Sequence, residues 1–80
     1  MPEFIHVTLK NDTSSQHVYH ATDDVLGQEL FSSLVLGAGE ESDPIELVAD
    51  EDHHGRMTYG FRGGVDTRRD DLTEGEVVRG

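Results

Sequence analysis

The densest group of side chains able to hold or move charge is Asp50-Glu51-Asp52-His53-His54-Gly55. Acids at its first and third positions and a glycine at its sixth match the opening of an EF-hand calcium loop. The match then stops. His54 at the fifth position offers nitrogen, a donor unsuited to calcium, and Phe61 stands at the twelfth, where a bidentate glutamate is needed. The residues that follow also alternate like a strand rather than a helix. What survives is a non-EF calcium site built on Asp50 and Asp52 with backbone carbonyls. The plainer reading is a solvated turn between two strands.

Five histidines add zinc to the candidate metals. His17 and His20 are three residues apart, which shares a face on a helix but not on a strand. His53 and His54 are adjacent and diverge unless the loop folds back. A transition-metal site therefore requires the 17–20 segment to meet the 53–54 loop in space. The candidate ligand set is then Asp50, Asp52, His54, His17 and His20. The alternative is a set of exposed histidines that titrate at about their ordinary pKa near 6.5.

Catalytic signatures are missing. Neither Ser32 nor Ser33 sits in a G-x-S-x-G elbow. Gly37-Ala38-Gly39 and Gly63-Gly64 lack the lysine and helix of a phosphate loop. Paired acids such as Asp23-Asp24, Glu40-Glu41 and Asp70-Asp71 need a cleft that separates two pKa values before they can act as acid and base. A chain of 80 residues offers little room for one. Met57, Tyr59 and Phe61 could form an aromatic strip, but on one face of a strand such residues are normally core. Arg68-Arg69-Asp70-Asp71 reads as a self-neutralised surface turn. No enzymatic activity is expected.

Seventeen acids against six bases give a net charge of -11. Attraction to nucleic-acid phosphates or to anionic membranes needs the opposite sign, so neither partner is expected. The chain has no cysteine, which removes disulfides and thiolate metal sites. No segment approaches the ~18 consecutive apolar residues of a membrane helix. Met1-Pro2-Glu3-Phe4 lacks the basic start and apolar run of a signal peptide, so a cytoplasmic location is expected. Asn11-Asp12-Thr13 fits the glycosylation acceptor pattern, which carries no weight without secretion.

The elements that must position these residues are mostly strands. Ile5, Val7 and Leu9 alternate with His6, Thr8 and Lys10, the period of a half-buried strand over 4–9. The Asn, Asp, Ser and Thr side chains of 11–16 favour a turn, and a second strand over 17–21 would complete a first hairpin. Residues 22–37 are ambiguous. Thr22-Asp23-Asp24 could cap a helix near residues 23–36, with Leu26, Leu30 and Leu34 four apart. Gly27 would cost such a helix about 1 kcal/mol. A turn near Gly27-Gln28 and a strand over 29–36 is favoured. Strands follow over 45–49 and 56–62, with shorter ones at 65–67 and 76–79, the last at an edge. Residues 68–75 are strongly polar.

One domain over 1–80 is therefore expected, all-β, as a small antiparallel sandwich or open barrel of six to seven short strands. The alternative is α+β with the helix above. The expected function is a non-catalytic, acidic binding or accessory module with a protein partner, met at an exposed sheet edge or at the polar loops. Two further readings are a divalent-cation domain for calcium or zinc, and an acidic mimic of nucleic acid that blocks a nucleic-acid enzyme. A thin core and a weak terminal edge also allow a homodimer.

Overall fold

A computed structural model describes residues 3–80. Met1-Pro2, which begin the segment compared with a signal peptide, lie outside the described residues. The described chain forms seven strands: β1 Phe4–Lys10, β2 His17–Asp23, β3 Gln28–Leu36, β4 Ile45–Val48, β5 Gly55–Phe61, β6 Thr67–Leu72 and β7 Val77–Arg79. They build two sheets, ordered β4-β1-β7 and β3-β2-β5-β6, which pack face to face. The architecture is a small all-β sandwich. Among the described residues no helix is long and apolar enough to cross a membrane.

The core follows from alternation. Ile5, Val7 and Leu9 of β1, Ile45 and Leu47 of β4, and Val78 of β7 point inward from the small sheet. Tyr19 and Ala21 of β2, Met57 and Tyr59 of β5, Leu36 of β3 and Leu72 of β6 meet them from the large one. Each fully buried larger aliphatic side chain is worth about 1.5–3 kcal/mol of transfer free energy. The sheets approach most closely at Gly55. A Cβ there would lie 2.7 Å from Cδ1 of Ile5 and 3.0 Å from Cδ1 of Leu47, so no other residue fits without displacing the core.

Three expectations need correction. β1 and β2 do not form a hairpin. β1 pairs with β4 and β7, β2 with β3 and β5, and residues 11–16 carry the chain from one sheet to the other. The reason is burial: the apolar faces of β1 and β2 face each other across the core instead of lying side by side. The polar stretch after residue 67 is a strand, β6, paired with β5. Its charges are tolerated because β6 is an edge, and residues two apart share a face. Arg68 Nε donates to Asp70 at 2.8 Å and Arg69 Nε to Asp71 at 3.1 Å. Finally, β7 does lie at an edge, but it pairs with β1 in parallel, the one departure from antiparallel pairing.

Residues 22–37 contain no helix; they hold the turn and the second strand of a β2–β3 hairpin. β2 and β3 are joined by a turn closed by a hydrogen bond from the Gly27 amide to the Asp23 carbonyl, 2.7 Å. Gly27 takes φ +69°, a conformation glycine adopts freely. The β2–β3 register shifts between Tyr19 and Ala21 and again between Ala21 and Thr22. Such bulges re-aim side chains. They let the neighbours Leu30 and Phe31, of opposite parity, both pack against the core together with Leu34.

Candidate functional site

The five residues of the candidate metal set occupy three places. β2 runs antiparallel to β5 with Tyr19 opposite Phe61 and Asp23 opposite Met57. His17 therefore lies at the far end of β5 from the loop 50–54, on the order of 20 Å away at the rise of a strand. There its ring stacks on Phe61, with centroids 3.9 Å apart and planes at 21°. His20 points to the other face, where Nε2 lies 2.6 Å from Asp66. The meeting of the 17–20 segment with the 53–54 loop, which a joint site requires, does not occur. Among the described residues no group of three or more His, Asp or Glu side chains comes together in a way that could hold a metal ion.

Asp50 organises its own loop instead. Oδ1 accepts from the amides of Asp52 at 2.9 Å and His54 at 3.0 Å, and Oδ2 from Arg56 Nε at 2.9 Å. The His54 amide, then the Asp52 amide and Arg56, hold this carboxyl below its ordinary 3.8 against the opposing effect of burial. Asp52 is exposed, and His54 follows it half-buried. His53 adopts φ +66°, and its Nδ1 lies 2.7 Å from Glu3. That contact raises the imidazole above its ordinary 6.5.

An apolar cleft lies elsewhere. β3 and β4 are edges of opposite sheets on the same side of the sandwich, and among the described residues no strand covers the outer edge of β3. A cleft of about 380 Å³ lies between them, lined by Leu30, Phe31 and Leu34 on one side and by Pro44, Ile45 and Glu46 on the other. A second cleft of about 240 Å³ adjoins it at Leu30 and Glu46 and continues to Phe4, Leu26 and Val48. Leu26, on the wall of the smaller cleft, is 56% exposed. Together the lining residues give an apolar groove running along the outer edge of the nine-residue β3.

Two buried polar side chains tie the sheets at the ends of this groove. Asp23, 1% exposed, closes the turn by accepting from the amides of Val25 at 3.0 Å and Leu26 at 3.3 Å. Its second oxygen reaches the amide of Val48 on β4, 3.1 Å away. Asn11, fully buried, donates to the carbonyls of Ser15 at 2.8 Å and Leu36 at 2.9 Å. Its Oδ1 accepts from both the amide and the hydroxyl of Thr13. The Asn11-Asp12-Thr13 triplet is thus a structural turn, its amide nitrogen fully engaged.

Sequence reasoning missed the groove and both ties. The groove had a signal: residues 30–36, Leu-Phe-Ser-Ser-Leu-Val-Leu, are free of charge in a chain of net charge -11 and apolar at both parities. The capping chemistry assigned to Thr22-Asp23-Asp24 was sound in kind, since Asp23 does cap free amides, but those of a hairpin turn. No protein-family model, curated protein or solved structure matches the chain.

Proposed function

We propose that the chain is a non-catalytic binding module that receives an extended segment of a protein partner on its open side, along β3. One observation carries this reading. Among the described residues no strand covers the outer edge of the nine-residue β3, which lies beside an apolar groove, and residues 30–36 bear no charge to guard it. Unpaired edges are ordinarily blunted by lysine, proline, inward charges or a covering segment, because they template pairing with another chain. An added strand would gain ladder hydrogen bonds from the edge and selectivity from side chains seated in the groove.

Substitution of Val35 by lysine tests the reading, since Val35 is exposed and its loss perturbs stability by no more than about 0.5 kcal/mol. The wild-type chain should retain a partner from its native lysate that the Val35→Lys chain loses. The purified partner should then slow amide exchange along β3 and not along β6. A partner held equally by both chains, or one that protects other strands, would count against the open side.

A further inference from the structure

The groove's own residues narrow what can occupy it. Its floor is apolar, from Leu30, Phe31 and Leu34 to Pro44 and Ile45. Every charged group lining the two clefts is an acid: Asp43 and Glu46 in the larger, Asp23, Glu29 and Glu46 in the smaller. Asp23 is buried and engaged by three amides. The rim presented to an occupant is therefore Glu29, Asp43 and Glu46, all exposed. Glu46 also lies 3.6 Å from His6, but no lysine or arginine among the described residues lines either cleft. Several acids elsewhere pair with arginine: Asp50 with Arg56, Asp70 with Arg68, Asp71 and Glu76 with Arg69.

Resting on the reading of the open side as a binding site, we infer that its occupant is an extended cationic segment, apolar residues alternating with lysine or arginine, added as a strand along β3. Apolar side chains of such a segment enter the groove. The long stems of its cations cover the apolar walls while their charged ends reach the acidic rim. A second copy of this chain is the poorer occupant. It brings another net charge of -11 and the same acidic rim, and both repel.

The test titrates three synthetic nine-residue peptides against the isotope-labelled full chain, followed by NMR. In each, valine alternates with lysine, with glutamate or with serine. The lysine peptide should bind about tenfold more tightly than the serine peptide, lose that advantage with added salt, and shift amides of β3 and of residues 43–48. Glu29→Gln, Asp43→Asn and Glu46→Gln combined should remove the advantage, so that the lysine and serine peptides bind the variant equally. Asp70→Asn with Glu51→Gln, away from the groove, should keep it. Equal binding of the lysine and serine peptides would overturn the charge selection and leave the open side as a binding site. Shifts confined to residues 50–52 or to β6 would overturn the placement. A doubling of mass at high salt, with β3 amides newly protected, would assign the edge to a second copy and overturn the inference. Failure of all three peptides without such doubling would remove the binding reading itself.

Discussion

The two long sides of the sandwich solve the same problem in opposite ways. On one side β6 and β7 end the two sheets, and on the other β3 and β4 do. β6 carries Arg68, Arg69, Asp70 and Asp71 among its six residues, paired along the strand. Arg69 then reaches across the gap to Glu76, just before β7, at 2.8 Å. The Tyr59 hydroxyl donates to the Arg79 carbonyl, 3.3 Å away, behind it. That side is charged, internally neutralised and latched. The β3 side is apolar, uncharged over residues 30–36 and held only at its ends. Charge discourages strand addition at β6, while the outer edge of β3 carries no charge over 30–36, which is the basis of the proposed binding side.

The largest expected effect comes from removing a tie of the open side. Asp23→Ala leaves three amides unpaired at a buried position and should lower stability by about 3 kcal/mol, read as a fall in the urea midpoint with an unchanged slope. Asn11→Ala should cost about 2 kcal/mol by the same measurement. The two lie at opposite ends of the groove, so their effects should add within about 0.5 kcal/mol. A loss below that size for Asp23→Ala would mean that the open side is not held as described.

Moving the guard sharpens the contrast. Replacing both Arg68 and Asp70 by threonine should turn β6 into a second unguarded edge, seen in light scattering as a mass that rises with concentration where the wild type stays constant. A constant mass in the variant would show that charge is not what protects β6.

The latch of the closed side is a smaller matter. Arg69→Gln should cost about 1 kcal/mol or less, because its ion pairs are partly solvated. It should also release Asp71, whose carboxyl the Arg69 hydrogen bond holds below the ordinary 3.8. A folded-state pKa lowered in this way gives a contribution present above 3.8 and lost as pH falls through the lowered value. An NMR titration of Asp71 should therefore place its midpoint below 3.8 in the wild type and nearer to it in Arg69→Gln. His53 has the opposite sign. Its pKa is raised by Glu3, so its small contribution is present below 6.5 and lost as pH rises through the raised value.

How far the sequence carries depends on which force placed each residue. β1 and the inner face of β5 are legible because period-two alternation and burial coincide there: Ile5, Val7 and Leu9, then Met57 and Tyr59. β3 was blurred because two bulges break its period, so Leu30 and Phe31 share a destination that alternation denies them. β6 was hidden because composition spoke for a loop, while ladder pairing with β5 decided the matter. Of the groove only one wall left a trace, the uncharged run 30–36. The groove is made by edges of different sheets, residues 28–36 and 45–48, and their meeting depends on which strands pair. Asp23 and Asn11 are ordinary turn residues in the sequence, and only the fold gives them long-range partners.

Those two residues also set the groove's width in an uncommon way. Between β3 and β4 there is no ladder to fix the spacing of the sheet edges; a carboxylate from the end of β2 bonds β4 at one end, and a carboxamide bonds β3 at the other. Backbone ladders come in a single spacing, whereas side chains come in several lengths. Glutamate at 23 or glutamine at 11 would offer the same polar group one methylene further out. Both positions are buried, so the extra methylene must be absorbed by a shift of the sheet edges or by strain in the turns that these side chains also hold.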